Sequence, residues 1–437
     1  MSMASFSVIA ATLLVTAGNV AATSDFGVQS VGKLPVLGFN TWNAFQCNID
    51  QDIMLQQASL MKSLGLQAAG YNYINIDDCY AEKNRTASGD IQEDKIRFSR
   101  GMRNLTDTLH AQGFKAGIYG DAGWTTCGGY PGSYSHEEAD AKTFREKWGF
   151  DYLKYDNCAI PFDNITQEGT YGRYKRMSDA IQNLAKRSHK LPMIFSLCDW
   201  GWQQVNLWGA EFGQSWRTTG DIAPNWDSLA HIININSFIA SSTHFYGHND
   251  LDMLQLGNGN MTYEESKSHF TVWALMKSPL FIGTNLSSIT PEILGILKNK
   301  DILAINQDPV WGEGITPFRW GINPDWTFNA THPAEYWSGR SQNGTVVMML
   351  NSQNVEAEMS FNLTESAWIR AGRQYKVYDL WAHTQTEIAV RSITKRVPPH
   401  GVVAMLLSDA GQEPAGLYPA CSVWWQCTSI TGERVGG

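Results

Sequence analysis

Tyr152-Leu-Lys-Tyr-Asp156 carries an ammonium and a carboxylate two residues apart, in a run that reads as a short buried strand ending in an acid. Alternation along a strand puts Tyr152, Lys154 and Asp156 on one face and Leu153, Tyr155 and Asn157 on the other. Burying Lys154 and Asp156 side by side is costly without a partner or a task. A carboxylate held beside an ammonium stays ionised, which suits a nucleophile. The same pair also reads as a satisfied internal salt bridge. The segment alone leaves both readings open.

Other polar groups gather at the ends of other predicted strands: Trp42, Asp77-Asp78, Tyr119 and Asp121, Cys198 and Trp200, Arg217 and Asp221, Asp250 and Asp252. So many acids at strand ends are hard to explain as structure, because uncompensated carboxylates repel one another and resist desolvation. Parity lets Cys198 and Trp200 look into one pocket while Asp199 looks elsewhere. Asp77 and Asp78 cannot both point inward from a regular strand, so the chain must leave strand geometry there. The ten histidines are scattered. His244 and His248, though four apart, fall in a predicted strand, so no metal site is expected. No Gly-x-Ser-x-Gly elbow follows a strand. Carboxylates in an aromatic, hydroxyl-rich cleft are the profile of glycoside hydrolysis, in which two acids flank the scissile bond.

The elements that must position these groups alternate. Strands are expected at Leu37–Trp42, Tyr71–Asp77, Lys115–Asp121, Asp151–Asp156, Pro192–Cys198, Ser215–Gly220, His244–Asn249 and Leu280–Gly283. Helices are expected at Asp52–Leu66, His136–Trp148, Tyr171–Arg187, Trp226–Ala240, Tyr263–Met276 and Pro291–Leu297. Eight strands alternating with helices predict a (β/α)8 TIM barrel over 33–310, with its active site at the C-terminal strand ends. An open doubly wound sheet is disfavoured, since no Gly-rich phosphate fingerprint opens a helix. Beyond Asp308 the runs Gly344–Leu350, Glu358–Leu363, Gln374–Leu380 and Gly401–Leu407 predict an antiparallel β-sandwich domain over 315–408. A tail of unknown role, 409–437, follows.

The chain has 437 residues, 43% hydrophobic and 17% charged, and is globular with room for two domains. A net charge of −9 argues against nucleic acid or an anionic membrane as partner. The 17 tryptophans exceed ordinary core filling, and flat aromatic faces suit stacking on sugar rings. Residues 1–23 resemble a secretory signal peptide, apolar and ending in Val20-Ala-Ala22, although without a basic n-region. Acceptor sequons at Asn84, Asn104, Asn164, Asn260, Asn285, Asn329, Asn343 and Asn362 fit export as a glycoprotein. The sequence sets no oligomeric state.

Leu37-Gly-Phe-Asn-Thr-Trp-Asn43, Asn75-Ile-Asp-Asp-Cys79, Gly117-Ile-Tyr119, Thr126-Cys-Gly-Gly-Tyr-Pro-Gly132 and Tyr152–Cys158 resemble signature blocks of the α-galactosidases of glycoside hydrolase family 27. Ser215-Trp-Arg-Thr-Thr-Gly-Asp-Ile222, Asn249-Asp-Leu-Asp-Met253, Lys277-Ser-Pro-Leu-Phe-Ile-Gly283 and Ala304-Ile-Asn-Gln-Asp308 continue the series in the family's order, over about residues 33–410. The look is that of the secreted fungal branch. The resemblance implies a retaining enzyme with no cofactor, acting on α-galactoside oligosaccharides or polysaccharides. Asp156 matches the nucleophile and Asp221 the general acid/base, expected ~5–5.5 Å apart. Asp77 and Asp78 match the grip on the sugar's 4- and 6-hydroxyls, and Lys154 and Arg217 match hydroxyl donors. Trp42 and Tyr119 match aromatic walls. Asp252-Met253 matches a bordering loop, and Cys127 is placed at the sugar as well. Lys154 is expected to keep Asp156 ionised. Cys198 and Trp200 fit the sugar's 2-hydroxyl side, where their bulk disfavours a 2-acetamido group. The neighbouring activities of the family, on α-N-acetylgalactosaminides and β-L-arabinopyranosides, are the alternatives, with a non-catalytic galactose-binding protein as the alternative of another class. Phe39, Tyr80, Gly120 and His248 depart from the usual family residues without removing either acid. The resemblance also implies disulfides Cys47–Cys79 and Cys127–Cys158. Proximity pairs Cys421 with Cys427, leaving Cys198 free.

Overall fold

The structure, a computed structural model, describes residues 27–162, 167–417, 428–429 and 431–433. The leader, Asn164 and the Cys421–Cys427 pairing lie outside the described residues. Eight parallel strands form one curled sheet in the order β7-β6-β5-β4-β3-β2-β1-β8. They are β1 (Leu37–Asn40), β2 (Tyr73–Asn75), β3 (Lys115–Asp121), β4 (Tyr152–Asp156), β5 (Ile194–Leu197), β6 (Ser215–Arg217), β7 (His248–Asp250) and β8 (Leu280–Ile282). A parallel bridge from Leu254 to Ile282 joins the two edges and closes the barrel.

Strand parity sorts the core into two layers. Inside the barrel Tyr152, Ile194, Met253 and Phe281 pack together with Val36. Outside it, Leu153, Tyr155, Ile118 and Phe195 belong to the large core shared with the helices. The alternation expected for Tyr152–Asp156 is therefore realised, with Lys154 facing the barrel axis beside Tyr152, Ser196 and Arg217.

The expected seventh strand shifts. His244 and Gly247 exchange backbone hydrogen bonds of 2.8 and 3.1 Å in a tight turn, and Tyr246 takes φ +65°, so pairing begins only at His248. The first strand stops at Asn40, and Trp42 opens a short helix (Trp42–Phe45) instead of ending a strand. Helices at Met102–Ala111 and Lys300–Asn306 were not expected. After β5 the chain makes 3-10 turns (Trp202–Leu207 and Gly209–Glu211) where an ideal barrel would place an α-helix.

The second unit is antiparallel. β9 (Thr316–Arg319), β10 (Tyr336–Ser341), β11 (Gly344–Leu350), β13 (Arg373–Asp379), β14 (Thr384–Ala389) and β16 (Val402–Gln412) form one sheet, and β12 (Ala357–Asn362) pairs with β15 (Ser392–Val397). Met359, Phe361 and Ile393 from the small sheet meet Val347, Val377 and Met405 from the large one, which makes a sandwich core. The opposite face of the large sheet joins the barrel's outer core through Trp337, Met348 and Ala404. The joint is the helix Tyr263–Leu275, started by a Thr262/Glu265 capping box and buried along Ser266 to Leu275 apart from Lys267. Trp381 Nε1 and Ser268 Oγ bridge it to the sandwich at 3.1 and 2.6 Å, while Trp273 Nε1 holds the Asp252 carbonyl at 2.8 Å. Sandwich packing thus reaches a loop of the barrel mouth. Among the described residues no helix is long and apolar enough to cross a membrane.

Candidate active site

β2 ends at Asn75, so Asp77 and Asp78 stand on the loop beyond it, and both side chains are free to turn toward the barrel mouth. Asp77 Oδ2 accepts from Asn40 Nδ2 at 2.9 Å and from Lys154 Nζ at 2.8 Å. Asp78 accepts from Gly128 N at 2.7 Å and Cys79 N at 2.6 Å. A Cβ on Gly128 would lie 2.9 Å from Asp78 Oδ2, so this close approach requires glycine. Burial raises the Asp78 carboxyl, although these backbone donors oppose it.

Asp156 closes β4. In the β3–β4 register Tyr119 lies opposite Lys154 and Asp121 opposite Asp156. Tyr119 donates its hydroxyl to Asp156 Oδ2 at 2.9 Å, and Asn157 N donates to Oδ1 at 3.0 Å. Burial pushes the Asp156 carboxyl up, opposed by the charge of Lys154 and then by the Tyr119 hydroxyl. The ammonium of Lys154 itself bonds Asp77. Of the two readings left open, a direct Lys154–Asp156 salt bridge is not formed: Lys154 opposes the rise of Asp156 through space, because its nearer acceptor comes from beyond β2. Asp121, fully buried, accepts from Gly123 N at 2.7 Å and Cys158 N at 3.0 Å, and burial followed by the Asp156 charge raises it well above the carboxylate range.

The two expected disulfides, Cys47–Cys79 and Cys127–Cys158, are both formed, and Cys198 is free and buried. Cys127 Sγ lies 3.6 Å from Asp156 Oδ2, so the second bond ties the Thr126–Gly132 loop to the end of β4. Asp121, Asp156, Cys127 and Cys158 bring metal-type donors within 4.8 Å, but the two sulfurs are bonded to each other and offer no thiolate.

Arg217, at the end of β6, is the second hub. Its Nη2 reaches Asp252 Oδ2 at 2.8 Å and Asp221 Oδ1 at 3.1 Å, and Nη1 lies 3.7 Å from Cys198 Sγ. The Asp221 side chain is 68% exposed and the Asp252 side chain 4%. The protein atoms around it partly desolvate Asp221 and work to raise it, although its side chain reaches water, but Arg217 and then Lys154 hold it below the usual carboxylate range. Burial raises Asp252 in spite of Arg217, and pushes Asp250 up to about 6. Burial also drives the Cys198 thiol up, so it stays protonated.

Trp42 and Met253 border the apolar floor made by Tyr152, Ile194 and Phe281. Trp200 stands just past β5 with φ +63° and meets Trp202 edge-on at 5.6 Å between ring centres. Strand-end reasoning missed Asn40, the second donor to Asp77, although its position at the end of β1 was a usable signal. It also missed Arg173, whose Nη2 holds Asn157 Oδ1 at 2.9 Å and steadies the turn after Asp156.

Acids, an arginine and a lysine ringing the C-terminal mouth of an eight-stranded barrel, with aromatic walls and a β-sandwich behind, define a carbohydrate-cleaving barrel enzyme. The family model described as alpha galactosidase A matches residues 34–308, and the alpha galactosidase C-terminal beta sandwich domain matches 331–407. Probable alpha-galactosidase B of Talaromyces emersonii is 42% identical over 425 residues, covering 87% of this chain and 93% of its own. The solved alpha-galactosidase I from Mortierella vinacea superposes with a TM-score of 0.79 at 34% identity, covering 88% of this chain and all of its own. The alpha-galactosidase of Saccharomyces cerevisiae, also solved with raffinose, gives a TM-score of 0.79 at 29% identity, over 88% of this chain and 99% of its own. The chain belongs to the α-galactosidase family of glycoside hydrolases.

Proposed function

We propose that this chain is a secreted retaining α-galactosidase that releases terminal, non-reducing α-D-galactose from galacto-oligosaccharides, galactomannans or glycoconjugates. The observation that carries the reading is the division of labour between two acids, one closing β4 and one on the loop beyond β6. Asp156 is buried and fixed by Tyr119, whereas Asp221 is exposed at the mouth and held by Arg217. The Asp156 carboxylate attacks C1 while Asp221 gives its proton to the glycosidic oxygen, and the aglycone leaves as an alcohol. Asp221, now a carboxylate, takes a proton from the water that attacks C1 of the galactosyl ester. This frees α-galactose and restores Asp156.

The free-enzyme electrostatics fit an acid optimum. Raising Asp156 costs activity as pH falls, and lowering Asp221 costs activity as pH rises, so the reactive form is a minority that peaks between the two. A bound sugar that strips water from Asp221 moves it upward, toward the protonated state the first step needs. Asp77 and Asp78 are read as the grip on the 4- and 6-hydroxyls, and Lys154 and Arg217 as hydroxyl donors. Trp42, Tyr119, Cys127, Cys198, Trp200, Asp252 and Met253 form the remaining wall. Residues 33–310 are read as the catalytic unit, 315–408 as the supporting sandwich, 1–23 as the leader and 409–437 as a tail. Exposed sequon asparagines at Asn84, Asn104, Asn260, Asn343 and Asn362, with the disulfides, support export.

The test is hydrolysis of p-nitrophenyl α-galactoside beside its 2-acetamido and arabinopyranoside analogues, with the first-formed anomer read by NMR. The galactoside should be cleaved fastest, giving the α-anomer, and Asp156→Ala should be inactive. A β-anomer, or substantial turnover by Asp156→Ala, would overturn the mechanism.

A further inference from the structure

We infer that Trp124 and Trp202, on the loops after β3 and β5, form a platform at the barrel mouth for the sugar to which the galactose is linked, an inference that rests on the α-galactosidase reading. β3, β4 and β5 are neighbours in the sheet, and Asp156 ends the middle one. The loops on either side each leave one indole in water: Trp124 is 55% exposed and Trp202 51%. Core packing does not account for rings placed this way.

Both rings are held in place. Trp124 N donates to the Ala159 carbonyl at 3.2 Å, its own carbonyl accepts from Gly132 N at 2.9 Å, and its ring meets Tyr134 edge-on at 4.5 Å. Cys127, three residues on, is bonded to Cys158 and touches Asp156, so the loop that carries Trp124 is stapled to the strand carrying the proposed nucleophile. On the other side, Trp202 N donates to the Asp199 carbonyl at 3.2 Å, and its ring abuts Trp200. Trp200, Gln203 and Gln204 all adopt positive φ, at 63°, 50° and 54°. Three non-glycine residues in left-handed geometry within five positions represent strain that persists only where surrounding contacts enforce it, and such strain concentrates at ligand clamps. Gln203 supplies those contacts, accepting from Thr170 N at 3.1 Å and from Trp208 Nε1 at 3.0 Å.

The chemistry of the platform selects its ligand. The polar pocket around Asp77, Asp78 and Arg217 takes the galactose, and the glycosidic oxygen points outward past Asp221. The next group along the substrate therefore meets the rim. A pyranose offers a face of C–H bonds that lies flat on an indole, and neither ring requires a charged partner. Binding energy gained there, away from the reacting bond, becomes available to catalysis. The substrate class is galactose linked to a further pyranose, as in an oligosaccharide or a polysaccharide side chain.

The test compares kcat/KM on methyl α-D-galactoside, which has no second ring, with that on raffinose and on an α-galactosyl mannotriose. Trp124→Ala and Trp202→Ala should each lose roughly tenfold more on an oligosaccharide than on the methyl galactoside, the loss expected for uncovering one aromatic face. Trp124→Phe and Trp202→Phe should recover most of that difference. Equal losses on all substrates, no loss on either oligosaccharide, or a selective loss only on a galactolipid would overturn the platform while leaving the activity intact. A wild-type enzyme that cleaves no galactoside would overturn the activity, and the platform with it.

Discussion

Replacing Lys154 by methionine separates what the lysine bonds from what it influences. Its ammonium bonds Asp77 at 2.8 Å, with side-chain exposures of 14% and 2% for the two partners. Its charge is also the largest influence opposing burial at Asp156. Methionine keeps the apolar stem and removes the cation, leaving two buried carboxylates facing one another. Breaking a buried pair by deleting one partner costs about 3–5 kcal/mol. Part of that cost is relieved when Asp156 takes up a proton at higher pH than in the wild type. With Asp156 raised and Asp221 lowered, the basic bend of kcat/KM follows Asp156, so that bend should move up in pH, and the maximum should fall by about 10²–10³. Asp77→Asn supplies the opposite sign. Asp77 is a like charge that raises Asp156, so the basic bend of that weakened variant should move down. The assay is kcat/KM against pH on p-nitrophenyl α-galactoside. If the two variants move the bend in the same direction, or neither moves it, the electrostatic account of Lys154 is wrong.

Two further perturbations probe the shell behind the site. Asp199 is fully buried, its Oδ2 has no partner, and burial pushes its carboxyl up to about 8. A folded pKa above the unfolded value gives stability that is present below about pH 4 and lost as pH rises toward 8. Asp199→Asn should therefore stabilise the fold by up to about 4 kcal/mol at pH 7 and by little at pH 4. Urea unfolding at the two pH values reads the difference, and an equal effect at both would refute the linkage. Joint replacement of Cys127 and Cys158 by serine opens a loop with a sequence separation of 31, worth about 3–4 kcal/mol on chain-entropy grounds. It should also raise KM, because Gly128 N on the same loop holds Asp78 at 2.7 Å. An unchanged KM with a lower melting temperature would mean that the bond is a staple only.

The strands were legible because a barrel strand is a short apolar run bounded by polar ends, and all eight were placed, although β7 was begun too early. That error came from His244–Gly247, whose residue types fit a strand but whose mutual hydrogen bonds make a turn. The helix Met102–Ala111 was missed despite a readable stripe of Met102, Leu105, Thr106 and Leu109. The turns after β5 were not legible, since they depend on Gln203 reaching the helix Gly169–Ser188.

In the site, alternation told which face each side chain takes, but not which neighbour its long stem would reach. Lys154 and Asp156 share a face, as their spacing requires. A lysine stem nevertheless carries its ammonium over the Tyr119 ring, 5.2 Å from the centroid, to an acid beyond β2. That reach dissolves the choice between salt bridge and nucleophile. Asn40 and Lys154 hold Asp77, Tyr119 holds Asp156, and one ammonium biases both acids. A single cation therefore couples the proposed sugar grip to the proposed nucleophile, so a substitution at either acid should be felt at the other.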